Sequence, residues 1–236
     1  MPGRLASDCT LTFREHCQIL LTMLVEPSRD RRAERHAATR AEIVGAAWDL
    51  ARMNGLAGLS LRDLARTVGM QPPSLYGYFD SKAAIYDAMF AQGAAEFLDS
   101  QQKLVLSGDA LADLKMGLHF FVGFCTSDPV RYQLLFQRTI PDFEPSSESF
   151  AVAVEGLQAT RDRLQHMGFT DPKVLDLLTA IGTGLTDQQI SNDPGGDRWV
   201  RLVDEAAEMF FAHVSNRNPS GTSASDAPIK KARSTR

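Results

Sequence analysis

Between residues 60 and 82 the chain places small hydroxyls, phenols and one lysine at spacings that suit a polyanion: Ser60, Ser74, Tyr76, Tyr78 and Lys82. Hydroxyls and phenols near a helix start can meet phosphate oxygens and base edges, and a lysine one turn further on adds charge. Other chemistries lack their residues. There is no H-E-x-x-H pair, nucleophile elbow or glycine-rich phosphate loop, and the five histidines are scattered singly. Cys9, Cys17 and Cys125 fit no C-x-x-C spacing, which predicts reduced, mostly buried thiols. No catalytic residue, metal ligand or cofactor is expected.

The elements that must position these groups are two short helices, Leu61–Val68 and Pro72–Phe79, joined by a turn containing glycine. Ser60 is the N-cap of the first and Asp63 its third helical residue, while Leu59 and Leu64 have staple spacing and Gly69 closes the end. Gln71 precedes Pro72 and is pushed to extended geometry, as an N-cap requires. Leu75 and Phe79, four apart, face the core together, so Ser74, Gly77 and Tyr78 point elsewhere and Tyr76 lies on a flank. A preceding helix is predicted from Thr39, where Thr39-Arg40-Ala41-Glu42 has capping-box spacing. Its apolar stripe is Ile43, Ala46, Ala47, Leu50 and Ala51, and it stops at Asn54-Gly55. Asp80-Ser81 then opens a helix to about Lys103.

At these residues the sequence resembles the tetracycline-repressor (TetR) family of bacterial helix-turn-helix regulators. The resemblance runs from Ile43 to about Phe90, and Leu75-Tyr76-Gly77-Tyr78-Phe79 followed by Ser81-Lys82 is its most specific part. It implies an all-α fold, with a three-helix DNA-binding domain ahead of a helical ligand-binding and dimerisation domain. It also implies a homodimer that sets its third helices into a palindromic double-stranded DNA operator, from which a small-molecule effector of unstated identity releases it. By position, Ser60 and Lys82 would contact phosphate, Pro73, Ser74, Tyr76, Gly77 and Tyr78 would lie on the recognition helix, and Arg40 would reach the backbone. Gln71 stands where a Ser, Thr or acidic cap is commoner, so the helix start is either looser or satisfied by phosphate, and Gln71 is counted with the interface residues. Gly77 stands where a larger contact residue is usual. The alternative roles are packing aromatics for Tyr76 and Tyr78 and a solvated first-turn lysine for Lys82, while the Arg29–Arg35 cluster is read as a solvated arm, with minor-groove contact as its alternative.

Charge is divided unevenly along the 236 residues. Residues 28–90 carry nine basic side chains against seven acidic ones, whereas residues 91–215 carry nine against eighteen. A basic head on an acidic body fits one part meeting a polyanion while the rest does something else. With 44% apolar and 23% charged residues, full disorder, collagen and rod-like coiled coils are excluded. No apolar run approaches the roughly 20 residues of a membrane span, and Arg14, Glu15 and His16 break any signal-peptide core, which predicts a cytoplasmic protein without membrane contact.

The expected organisation is an N-terminal extension over 1–32 (with Met23 as an alternative start), a DNA-binding domain over 36–97, an effector and dimerisation domain over 98–215, and a disordered basic tail over 216–236. A short helix is expected over Phe13–Val25. In the body, helices are expected near Ala110–Cys125, from Asp128-Pro129 through Phe136, over Phe150–Met167, from Asp171-Pro172 to about Gln189, and over Arg198–Val214. The last two are strongly apolar. Leu178, Ile181, Leu185, Trp199, Leu202, Val203, Ala206, Met209 and Phe210 are the expected dimer face, with Gly182 and Gly184 permitting close approach. Phe97, Met116, His119, Phe120, Phe124, Tyr132 and Phe136 are candidates for an effector pocket, against a plain-core alternative. Two competing functions remain: a helical protein-binding regulator and a small-molecule-converting enzyme, neither touching DNA.

Overall fold

The computed structural model describes residues 27–217. The Phe13–Val25 helix, Cys9, Cys17, the Met23 start and the tail beyond Arg217 lie outside them. Among the described residues there is no strand. The helices are α1 (Pro27–Asn54), α2 (Leu61–Thr67), α3 (Pro72–Leu75), α4 (Lys82–Gln102), α5 (Ala110–Ser127), α6 (Pro129–Phe136), α7 (Ser147–His166), α8 (Pro172–Asn192) and α9 (Val203–Arg217). A 3-10 turn, Val200–Leu202, leads into α9. Two compact units meet in sequence between Ile85 and Tyr86, within α4.

In the first unit α1 begins at Pro27 and not near Thr39, so the Thr39–Glu42 capping box is helix interior. Proline suits a first helical turn, and residues 31–38 are all exposed. Those first turns of helix therefore carry no apolar period to reveal them. From Ile43 onward the expected stripe is real: Ile43, Ala47, Leu50 and Ala51 are buried with Leu56, Leu59, Leu64, Ala65, Leu75, Phe79 and Ile85. α3 is shorter than the sequence suggests, ending formally at Leu75. Tight turns carry the chain onward, with Gly77 N–H donating to Ser74 O and Phe79 N–H to Leu75 O. Gly77, which gains little from helical geometry, sits where the helix gives out.

The second unit is organised around α5. Its Leu114, Leu118 and Val122 pack with Leu175 of α8 and with Val203, Ala207, Phe210 and Val214 of α9. Four helix starts use side-chain caps: Asp109, Asp128, Ser146 and Asp171 accept from the backbone N–H of Ala112, Arg131, Ser149 and Lys173. Gly182 does allow a close approach, but within the chain. A methyl there would lie 3.0 Å from the Phe121 ring of α5, whereas Gly184 has open space.

That packing revises the expected dimer face. Val203 and Phe210 are 0% and 2% exposed and belong to the protomer's own core. Leu178, Ile181, Leu185 and Ala206 pack partly buried against that core, and Trp199 and Leu202 are half-buried. Met209, 67% exposed, faces outward, as does Leu177, which the apolar pattern alone does not single out. A strongly apolar helix pattern marks burial without saying by which chain.

Candidate nucleic-acid interface and ligand cavity

The junction of α2 and α3 is fixed by local chemistry. Ser60 is extended and its Oγ accepts from Asp63 N–H at 3.4 Å, while Asp63 pairs with Arg66 at 2.7 Å. At the far end Met70 N–H donates to Ala65 O (2.8 Å) and Gly69 N–H to Arg66 O (3.2 Å), a Schellman closure with Gly69 at φ +68°. Gln71 is the N-cap of α3 by backbone geometry, but its side chain makes no capping bond. The first N–H groups of α3 are absent in any case, because Pro72 and Pro73 occupy its first two positions.

This clamp divides the segment as the spacing predicts. Leu75 and Phe79 are buried, whereas Gln71, Pro73, Ser74 and Gly77 are exposed and Tyr76 is 55% exposed. Tyr78 is half-buried and stacks on His36 of α1, with ring centroids 4.8 Å apart. His36 was missing from the sequence candidates because its helix was not legible. Once α1 is extended, His36 lies one turn from Arg40, on the side that meets Tyr78. Arg40 is committed within the unit: its guanidinium donates to the Tyr78 carbonyl and lies 4.0 Å over the Phe79 ring. It holds the stretch after α3 in place. Lys82 Nζ donates to Ala57 O at 3.3 Å. Arg31, Arg32 and Arg35 are exposed along the first turns of α1, a helical rather than an arm-like presentation.

The second unit holds a cavity of about 210 Å³. Phe97, Phe120 and Phe136 line it, as expected, together with Phe90 and Phe121. Met116, His119, Phe124 and Tyr132 do not. His119 faces Asp204 at 2.9 Å, Phe124 lies beneath the Arg131 guanidinium, and Tyr132 is buried with its hydroxyl donating to Asp187 at 2.8 Å. Burial, with Asp187 beside it, pushes the Tyr132 phenol well above its ordinary value. The polar part of the lining escaped the aromatic criterion: Gln101, Asp113, Thr160, Arg163 and Thr179. Burial tends to raise the Asp113 carboxyl. The Ser107 hydroxyl and the backbone N–H groups of Ser107 and Gly108, at 2.7, 2.7 and 3.0 Å, outweigh this and hold it below its ordinary value. Burial depresses the Arg163 guanidinium. Cys125 is buried, with its thiol pushed up to about 12, so it remains a protonated packing group. Among the described residues no group of His, Cys, Asp and Glu has the arrangement to hold a metal ion, and no helix is long and apolar enough to cross a membrane.

Residues 43–89 match the model of bacterial regulatory proteins of the tetR family. An uncharacterized HTH-type transcriptional regulator of Bacillus subtilis, YobS, is 27% identical over 95 residues, 40% of this chain, and the chain spans about half the length of that relative. Among solved structures, the protein SCO4313 superposes with a TM-score of 0.64 at 20% identity, covering 76% of this chain and 98% of that one. A tetR-family transcriptional regulator from Streptomyces coelicolor gives 0.58 at 18% identity, covering 76% and 83%. The segment that matches the family model is the one whose clamped α2–α3 pair presents Ser74 and Tyr76 outward. Over residues 43–89 this chain therefore matches the helix-turn-helix segment of the tetR family of bacterial regulatory proteins.

Proposed function

We propose that the protein is a sequence-specific DNA-binding transcriptional regulator, a dimeric repressor released from a palindromic operator when a small molecule fills the cavity. The observation that carries this reading is the exposure of Gln71, Pro73, Ser74 and Tyr76 on a segment whose opposite side is locked by Leu75, Phe79 and Arg40. A rigid helix end with hydroxyls outward suits a major groove, with α2 bracing it across the backbone. Ser60, Lys82 and the exposed arginines of α1 supply the phosphate contacts. Gly77 is exposed but offers no side chain, and Tyr78 serves mainly to seat α3 on His36.

Two half-sites about 34–36 Å apart require two heads. Met209 and Leu177 supply exposed apolar area on α9 and α8 for the pairing of protomers. α4 runs through both units, with Lys82 in its first turn and Phe97 and Gln101 in its last two turns. A ligand that binds better to a state with differently spaced heads lowers operator occupancy by its differential affinity.

Selection of bound duplexes from a random pool tests the reading. One enriched palindrome is the expected result, with affinity falling steeply between 50 and 200 mM salt as phosphate contacts release counterions (roughly 10³-fold for six contacts). Enrichment of no duplex would favour a protein-binding regulator, and turnover of a small molecule by purified protein would favour an enzyme.

A further inference from the structure

The polar corner of the cavity is wired in a way that leaves one atom over. Gln101 is 3% exposed, and its Nε2 donates to Thr160 Oγ1 at 2.8 Å. Thr160 Oγ1 in turn donates to Gly156 O at 3.2 Å and accepts from Gln101 Nε2. Gln101 Oε1 is then buried with no partner. Arg163 closes the corner by donating to Gln101 O at 2.6 Å, and among the described residues it makes no ion pair. Apart from Asp113 and Thr179, the remainder of the wall is aromatic and aliphatic, led by Phe97, Phe120 and Phe136.

Resting on the effector reading above, we propose that the cavity takes an apolar, ring-bearing molecule with a neutral hydroxyl, whose O–H donates to Gln101 Oε1. A buried acceptor without a donor is costly, so a site with one selects for the donor it lacks. A cationic head is disfavoured by the unpaired Arg163 charge. A carboxylate, although drawn to Arg163, would set its own acceptors against Gln101 Oε1 and against the ionised Asp113 in the same wall. The size fits one or two rings, since an apolar cavity of about 150 Å³ already holds a benzene.

Calorimetric titration of the full chain with 2-naphthol, naphthalene and 2-naphthoate tests the assignment. Expected is roughly ten-fold tighter binding of 2-naphthol than of naphthalene. Gln101→Leu should bring 2-naphthol down to the naphthalene affinity without weakening naphthalene, with Gln101→Met as a second variant should the first unfold. Equal affinity for the alcohol and the hydrocarbon, a preference that survives both substitutions, or 2-naphthoate as the tightest of the three overturns the proposal. So does absence of all binding, which leaves DNA recognition standing if duplex affinity is intact. Conversely, 2-naphthol bound through Gln101 with undiminished duplex affinity upholds the hydroxyl assignment and removes the effector reading.

Discussion

Tyr76 and Lys82 separate a contact role from a packing role. Tyr76 is more than half exposed, and Lys82 Nζ donates to Ala57 O. Tyr76→Ala and Lys82→Ala are expected to weaken operator binding by about 1–3 kcal/mol while shifting unfolding by no more than about 0.5 kcal/mol. Parallel losses in binding and in thermal midpoint would mark them as structural. In the other unit, the hydrogen-bonded Asp113 carboxyl is more acidic folded than unfolded. Its stabilising effect is complete above its ordinary value of 3.8 and disappears as pH falls through the lower folded value. Asp113→Asn should therefore destabilise near neutral pH, with the gap to the native protein narrowing below about pH 4. Urea unfolding across pH 3–7 measures this, and a gap constant with pH would show that shape and not charge matters at this position.

At the level of the elements, the helix-turn-helix depends on its boundaries as much as on its core. α2 has only seven residues, too short to persist without caps and packing. Ser60→Ala should cost about 1 kcal/mol through loss of the bond to Asp63 N–H, and Gly69→Ala about 1–2 kcal/mol because φ +68° is strained for alanine. Both should loosen α3 as well, and chemical denaturation beside duplex affinity would show coupled losses, unlike Tyr76→Ala. A duplex affinity untouched by either change would mean that α3 is held by its own contacts alone. Arg40 and His36 show how one element positions another: both sit on α1, yet they seat Tyr78, just beyond α3. α1 was half legible. The buried stripe from Ile43 announces itself by period, whereas the exposed arginine-rich turns before it obey helix propensity alone, a weak signal.

For the whole molecule, the paired prediction concerns α9. Met209→Glu should leave the protomer folded and shift the species seen by sedimentation towards monomer, with a matching fall in operator affinity. Phe210→Ala, one residue on, should instead cost about 3–5 kcal/mol of fold stability, since Phe210 is 2% exposed in the core built on α5. An unchanged association state in the first variant would place the interface elsewhere. The contrast also explains the mixed fate of the apolar helices as sequence signals: their burial was readable, but neighbours of similar hydropathy divide between core and outer face by a rotation of about 100° per residue.

What the sequence determined alone was local. Caps, prolines, glycines and short apolar periods act within a few residues, so they set the helix-turn-helix, the buried pair Leu75 and Phe79, and the starts of α6 and α8. The tertiary structure decided what depends on which helix lies against which. It sent Tyr132 and His119 to Asp187 and Asp204 instead of the cavity, bound Arg40 to Tyr78, and gathered Gln101, Thr160 and Arg163 from α4 and α7 into one polar corner. Residues about 60 positions apart leave no periodicity by which to recognise one another, and their meeting is fixed only when the apolar faces pack.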